Sequence, residues 1–286
     1  MKSTPIPALC AALAVAAQAQ AAPKVPPAAP VAAPTEADWR TPDPQNILVI
    51  DTNKGRIIVE LSPLAAPLAV ARVRELTRAG LYDGRAFFRV LDNFMDQTGD
   101  PLDNGTGGSA KPDLPGEFTF RRGPETPLVV ATKAAGTEAG FLGSLPVISQ
   151  TMDLGILTVD HKVNAWGTFC PGVAGMARAE SPDSANSQFY LMRDATPNLD
   201  QKYTPFGRAI AGLDVIRAIK TGEPVAAPQD RMLTVRVLAD IPAPERPQVR
   251  VIDPRGAWFK AMVDRVRTAK VVDLSICDLD IPAEVK

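Results

Sequence analysis

One stretch, Phe87–Gly108, constrains the fold of this chain more than any other. It opens with an apolar segment, Phe87–Leu91, that predicts a mostly buried strand, yet Arg89 sits in the middle of that strand. A loop rich in Gly, Asp and Asn follows. A charge inside an apolar strand is costly unless it is paired with an acid or faces a cleft. Two interpretations therefore stay open: a structural ion pair, or a concave apolar site with one guanidinium pointing into it.

The other patterns predict an all-β protein with few helices. Short β-rich runs bounded by Gly and Pro recur along the chain, which is typical of a barrel or a sandwich. We predict strands at Ile47–Asp51, Arg56–Leu61, Phe87–Leu91, Val173–Ala177, Gln188–Met192 and Met232–Leu238. Apolar residues at helical spacing predict two helices in the same region, Pro67–Ala79 and Leu213–Ile219.

The first 45 residues are expected to precede the folded domain. Residues 1–21 combine Lys2, an apolar run over Ala8–Ala17 and small residues up to Ala21, which is typical of a secretory signal peptide. The alternative is a disordered Ala-rich tail. The apolar run is too short to span a bilayer. Residues 22–45 are rich in Pro and Ala, so we predict an extended linker there.

Composition argues against several classes of function. The net charge is −1, which suggests neither nucleic acid nor an acidic membrane surface as a partner. No later stretch is long and apolar enough for a membrane helix. The single histidine, His161, has no partners at metal-ligand spacing, so we predict no metal site.

Two cysteines, Cys170 and Cys277, remain after removal of a signal peptide that would contain Cys10. An even number of cysteines in an oxidising compartment permits a disulfide. The alternative, two separate buried thiols, is equally compatible with the sequence, because sequence alone does not show whether the Cα atoms come within bonding range.

Three ordered blocks resemble the cyclophilin-type peptidyl-prolyl isomerases, over roughly Ile47 to Ile241. The first block comprises Phe87, Arg89, Val90, Leu91, Phe94, Met95, Gln97, Gly99 and Asp100. The second comprises Gly175–Ala179 and Asn186–Tyr190, and the third comprises Asn198–Asp200 and Tyr203–Gly207. With no second histidine in the chain, a His-based triad built on these blocks is excluded.

This resemblance implies a closed eight-stranded antiparallel barrel over residues 46–242, capped by the two predicted helices. Residues 127–169 exceed the family's usual length and are interpreted as an insertion. Since this insertion joins two segments that flank the family's groove, we expect it to lie beside that groove. Residues 243–286 form a C-terminal extension. Its segment Gly256–Ala269 has an amphipathic helical pattern that we expect to pack on the domain, and Val271–Cys277 could form a last strand.

The resemblance also implies an enzyme, a peptidyl-prolyl cis-trans isomerase, with Arg89 as the catalytic residue. The residues that match substrate-binding positions are Phe94, Met95, Gln97, Ala177, Arg178, Gln188, Tyr190, Leu199 and Tyr203. Arg178 stands where many members have Asn, and we expect it to contribute mainly through its backbone. Phe88, Asn198 and Tyr190 also depart from the family pattern, which puts substrate preference and rate in question.

We therefore expect a monomer that needs neither cofactor nor metal and acts on proline-containing polypeptides. The blocks resemble bacterial members, so a periplasmic location fits the signal peptide. The alternative is a non-catalytic peptide-binding or scaffold protein that kept the barrel and lost the rate. The joint presence of Arg89, Phe94, Met95, Gln97 and Gln188 favours the enzyme.

Overall fold

The computed structural model describes residues 32–269 and 274–286, so the predicted signal peptide and the first part of the linker lie outside the described residues. The strands, in chain order, are β1 (Trp39–Arg40), β2 (Ile47–Thr52), β3 (Gly55–Leu61), β4 (Arg89–Leu91), β5 (Met95–Thr98), β6 (Phe120–Arg122), β7 (Leu128–Ala134), β8 (Thr137–Leu142), β9 (Leu145–Gln150), β10 (Val163–Gly167), β11 (Val173–Met176), β12 (Phe189–Met192), β13 (Pro205–Ala211), β14 (Met232–Val237), β15 (Val249–Ile252) and β16 (Ala283–Val285). The helices are α1 (Pro67–Arg78), α2 (Leu213–Ala218) and α3 (Ala257–Ala269).

Eight strands form one curled antiparallel sheet in the order β14-β2-β3-β13-β11-β12-β5-β4. The sheet turns through 222° and is a half-barrel, so continuous strand pairing does not close the barrel that the sequence predicted. Two isolated bridges, Ala86 with Arg231 and Val90 with Gly222, join the chain around β4 to the segment between α2 and β14. The segment facing β4 contains Pro224 and Pro228, which have no N–H to donate to a ladder.

The inner face of this sheet is filled by apolar side chains from the strands and from α1 and α2. Helix α1 turns Ala69, Val70, Val73 and Leu76 toward that core. The carboxylate of Glu117 accepts hydrogen bonds from two backbone N–H groups in the first turn of α1, at 2.9 and 2.8 Å. Both predicted helices are thus confirmed to within a residue or so at each end.

The insertion forms a second, five-stranded sheet in the order β6-β10-β9-β8-β7. This sheet begins at Phe120, earlier than the predicted boundary at residue 127, because β6 pairs with β10. Its apolar residues, including Phe141 and Val147, share a buried cluster with Ile47, Val49 and Ile58 of the half-barrel. The insertion therefore covers the outer face of β2 and β3.

The C-terminal extension forms a third sheet, β1-β15-β16, which also recruits the end of the predicted linker. Trp39 pairs with Ile252, and the Arg250 guanidinium lies 4.5 Å from the centre of the Trp39 ring. The prediction of an extended linker as far as residue 45 is therefore wrong from Glu36 onward. The β15 edge offers backbone partners, and Trp39 gains apolar contacts there.

Helix α3 packs on the domain as predicted, with Phe259 and Val263 buried. The rings of Phe259 and Phe141 meet edge to face with centroids 5.6 Å apart. Of the predicted strand Val271–Cys277, residues 271–273 lie outside the described residues, and Ile276–Asp278 is a single 3-10 turn. At 13 residues α3 exceeds α1 and α2 in length, and no helix among the described residues could cross a membrane.

Cys170 and Cys277 form a disulfide, which resolves the alternatives left by the sequence. The bridge links two cysteines 107 residues apart, one at the end of the insertion and one in the C-terminal extension. It ties together the two segments that cover the outer face of the half-barrel.

Breaking this bridge should lower stability without unfolding the half-barrel core. We expect Cys277→Ser to lose up to about 4–5 kcal/mol of unfolding free energy, because the loop it closes is long. Thermal melts of wild type and variant, each with and without a dithiol reductant, measure the loss. The reductant should shift only the wild type. Two thiols open to alkylation in unreduced, denatured wild-type protein would contradict the bridge.

The buried carboxyl of Asp96 in β5 should make the unfolding free energy depend on pH. It is fully buried, one carboxylate oxygen accepts from Arg193 at 3.2 Å, and the other has no partner among the described residues. Burial outweighs the attraction of Arg193 and raises the pKa of Asp96 to about 7. Between about pH 4 and pH 7 the folded protein therefore keeps a proton that the unfolded chain has released.

This group's contribution to the unfolding free energy should fall as pH rises from about 4 to about 7, by up to about 4 kcal/mol, and level off above. Urea unfolding at half-unit pH steps measures the slope. Asp96→Asn should flatten it, whereas Asp51→Asn, at an exposed pair with Arg56, serves as the matched control. An unchanged slope in Asp96→Asn would show that the carboxyl is ionised throughout.

Candidate functional site

The register of the half-barrel lines up a row of side chains across its outer face. Arg89 in β4 pairs with Gln97 in β5, Gln97 pairs with Tyr190 in β12, and Tyr190 pairs with Gly175 in β11. Side chains alternate between faces along a strand, so the neighbours Val90 and Leu191 enter the inner core instead. The alternation thus explains how an arginine can sit in an apolar strand: its side chain is on the outer face.

A cavity of about 180 Å³ opens on this row. It is lined by Arg89, Phe94, Met95, Gln97, Ala177, Arg178, Tyr190, Leu199 and Tyr203. These are nine of the ten site residues predicted from the sequence. The tenth, Gln188, lines an adjoining cavity of about 380 Å³ that shares Gln97, Ala177 and Arg178 with the first. The structure therefore brings all ten predicted residues into one continuous groove.

Apolar side chains make the floor and the walls of the smaller cavity. Met95 and Tyr190 come from the sheet and are almost fully buried. Tyr203 meets the Tyr190 ring edge to face with centroids 6.1 Å apart, and Leu199 reaches the cavity from the 3-10 turn Pro197–Leu199. Such a pocket suits a small apolar ring.

Tyr190 carries an unusual feature, a buried hydroxyl without a hydrogen-bond partner among the described residues. Burial raises its pKa well above the ordinary value. The ring lies across Gly175, where an added Cβ would come within 2.7 Å of both the Tyr190 hydroxyl and the Phe169 ring. Glycine at position 175 is therefore needed to seat this aromatic pair.

Arg89 is held at the mouth of the cavity by two side chains. Its Nε–H donates to Glu223 Oε1 at 2.6 Å, and its NH1 group donates to Gln97 Oε1 at 3.3 Å. A guanidinium has five N–H donors, so these two bonds leave three without a partner among residues 32–269 and 274–286. Both interpretations of the sequence are realised at once: the arginine is paired with an acid and also faces a cleft.

A chain of amide hydrogen bonds continues from Arg89 along the groove. Gln97 Nε2 donates to Gln188 Oε1 at 3.0 Å, and Gln188 Nε2 donates to the carbonyls of Gly105 and Gly107 at 3.1 and 2.8 Å. Each amide is thus oriented at both ends. The arrangement fixes which polar atoms face a peptide lying in the groove.

The glycine loop that receives this chain is organised by Asp100, which is fully buried. Its carboxylate accepts from the backbone N–H groups of Leu102, Asn104 and Gly105. Burial alone would raise the pKa of Asp100, but these hydrogen bonds outweigh it and lower the pKa below its ordinary value. The loop is therefore anchored by an ionised group.

Arg178 contributes more than the backbone role predicted for it. Its guanidinium lies 4.5 Å from the centre of the Tyr203 ring and 5.8 Å from that of Phe118, and its Nε donates to the Lys202 carbonyl at 3.1 Å. The side chain extends the pocket wall by covering Tyr203. An Asn at this position would be too short for these contacts.

The insertion supports the pocket from behind and does not line it. Phe169, at its end, contacts Tyr190 with ring centroids 5.9 Å apart, and its N–H donates to Asp200 beside Leu199 at 3.1 Å. Within the described part of the chain, residues 127–169 contribute no side chain to either cavity. The expectation that the insertion lies beside the groove thus holds only at Phe169.

Glu223, the partner of Arg89, is not among the residues predicted from the sequence. The two residues are 134 positions apart, and Glu223 lies in a Gly-Glu-Pro segment after α2 that predicts only a turn. No local pattern could have paired them.

Comparisons with known proteins agree with this geometry. The model of the family described as "Cyclophilin type peptidyl-prolyl cis-trans isomerase/CLD" matches residues 47–239. A probable peptidyl-prolyl cis-trans isomerase of Brucella suis is 34% identical over 191 residues, which cover 63% of this chain and 74% of that protein. Peptidyl-prolyl cis-trans isomerase 9 of Schizosaccharomyces pombe is 31% identical over 177 residues, 61% of this chain and 22% of that protein.

Among solved structures, the cyclophilin AquaCyp293 from Hirschia baltica superposes with a TM-score of 0.80 at 34% identity, over 86% of this chain and 93% of that one. This match covers a larger share of the chain than residues 47–239 alone. The chain therefore belongs to the cyclophilin-type peptidyl-prolyl cis-trans isomerases, enzymes that bind proline-containing peptides.

Proposed function

We propose that this protein accelerates the cis/trans isomerisation of X–Pro bonds in exported polypeptides, and that Arg89 stabilises the twisted amide. Rotation about an X–Pro bond must break amide resonance, which creates a barrier of about 18–20 kcal/mol. A nucleophile is unnecessary for this reaction. A site that binds the twisted amide more tightly than the planar one is sufficient.

The observation that carries the proposal is a guanidinium with free donors at the mouth of an apolar pocket. When the amide twists, the prolyl nitrogen becomes pyramidal and exposes a lone pair that a donor can reach. Arg89 is permanently charged and its plane is held by Glu223 and Gln97. Three of its N–H groups have no partner in the described part of the chain and could donate to a ligand. Such a donor interacts more strongly with the transition state than with the ground state.

The rest of the groove supplies binding. The prolyl ring would enter the pocket floored by Met95 and Tyr190, while Gln97 and Gln188 would hold the backbone of the peptide. All of these groups come from one chain, so we propose that the protein acts as a monomer.

The proposal that the substrates are exported polypeptides rests on the N-terminal pattern and on the disulfide. Residues 1–21 match a signal peptide, and a bacterial member of the family would then act in the periplasm. The Cys170–Cys277 bridge supports this location, because structural disulfides persist in oxidising compartments.

Substitution of Arg89 tests the mechanism. Arg89→Ala should lower kcat/KM by roughly ten- to a thousand-fold, about 1.4–4 kcal/mol of transition-state stabilisation, without lowering Tm. A protease-coupled assay on an Ala-Pro peptide, at several enzyme concentrations and without metal or nucleotide, measures it. Arg121→Ala, at an exposed arginine of the insertion, is the matched control. A wild-type rate equal to the uncatalysed rate would favour the scaffold alternative.

The proposed export predicts a defined mature N-terminus. Expressed in a bacterial host with its own leader, the protein should be recovered from the periplasmic fraction, cleaved after Ala19 or Ala21. Intact mass and N-terminal sequencing check this. An uncleaved chain found in the cytoplasmic fraction would contradict the export proposal and leave the catalytic one untouched.

A further inference from the structure

We propose that Glu223 is a positioning residue, which fixes the side chain of Arg89 in its catalytic orientation. This inference rests on the function proposed above and assigns a second residue to the same site. The Glu223 carboxylate is not among the groups that line the cavity, and it accepts from the Arg89 Nε–H at 2.6 Å. Gln97 accepts from NH1 at 3.3 Å.

The backbone holds the two residues in register. Gly222, directly before Glu223, exchanges two hydrogen bonds with Val90, each of 2.8 Å. Two residues after Glu223, the N–H of Val225 donates to the Phe88 carbonyl at 2.9 Å. The segment that carries Glu223 is thus bonded, on both sides of that residue, to the neighbours of Arg89. These bonds keep the backbone of Glu223 beside that of Arg89, so the carboxylate has only the length of its own side chain to span.

The atoms used by Glu223 are those that a positioning role requires. It binds Nε, so the NH2 group and one hydrogen of NH1 keep no protein partner among the described residues. An acid that took the NH1–NH2 fork instead would occupy donors that the observed pairing through Nε leaves free. With Glu223 and Gln97 on two atoms, rotation of the guanidinium plane is restricted while the donors stay free.

A purely structural role fits the exposure of the pair poorly. The side chains of Arg89 and Glu223 are 35% and 53% exposed, and ion pairs this open to water contribute little to folding. Removal of the carboxylate should therefore change catalysis and not stability. Glu125, 61% exposed and paired with Lys162 in the insertion, offers a matched control.

The experiment compares Glu223→Ala, Glu223→Gln and Glu125→Ala. We expect Glu223→Ala to lower kcat/KM about ten-fold, with the loss in kcat and KM nearly unchanged, and with Tm unchanged. Glu223→Gln should recover most of the rate, because its amide oxygen can still accept from Nε–H. Glu125→Ala should match the wild type. In an Arg89→Ala background, Glu223→Ala should have no further effect.

A direct readout follows the Arg89 Nε–H itself, assigned by its loss in Arg89→Lys. Its exchange with solvent, measured by 15N NMR without substrate, should be slow in the wild type and in Glu223→Gln and faster in Glu223→Ala. Wild-type rates in Glu223→Ala, or a higher rate, would overturn the positioning role even where Arg89→Ala is impaired. If the wild type itself lacks activity, the proposed function fails, and unchanged Nε–H exchange in Glu223→Ala would then refute the positioning separately.

Discussion

The structure depends on one constraint: the half-barrel sheet carries apolar side chains on both faces, and both sets must be buried away from water. The inner face closes on itself over α1 and α2. The outer face carries Ile47, Val49 and Ile58, which an isolated barrel would expose to water at about 25 cal/mol per Å² of apolar surface. The insertion sheet and the C-terminal extension exist to bury that surface, and the disulfide joins them. The pocket is the part of the outer face where this cover stops.

Charges within the half-barrel follow from the same two-faced geometry. Arg89 and Asp96 are on neighbouring strands, yet they face opposite sides and have opposite surroundings. Arg89 faces outward and is partly exposed, with an acid and an amide to orient it. Asp96 faces inward, where burial raises its pKa to about 7 despite the nearby Arg193. The outer face thus keeps the permanent charge of Arg89 at low cost in free energy. On the inner face, the raised pKa means that Asp96 changes its charge near neutral pH.

Local patterns predicted what local physics determines. Apolar spacing alone predicts helix α1. The groove residues, in contrast, follow from the resemblance of three sequence blocks to the cyclophilin family. Contacts between distant segments could not be predicted. These include the Glu223–Arg89 pair, the pairing of Trp39 with β15, and the addition of β6 to the insertion sheet. The closed barrel was over-predicted: next to β4 the chain makes isolated bridges and no continuous ladder, in a segment that contains Pro224 and Pro228.

The reaction explains why so much of the molecule is devoted to holding a few atoms still. Twisting an amide makes and breaks no covalent bond. The reaction therefore has no covalent intermediate that could split one high barrier into two lower ones. Any acceleration must come from groups that are already in place when the bond rotates. Arg89 is restrained by Glu223 and Gln97, Gln97 by Gln188, and Gln188 by a loop that Asp100 anchors. Tyr190 is held from behind by Phe169, next to the disulfide. The insertion and the C-terminal extension therefore serve the site indirectly. If the pocket wall were mobile, part of the binding energy would be lost in ordering that wall and would not stabilise the twisted bond.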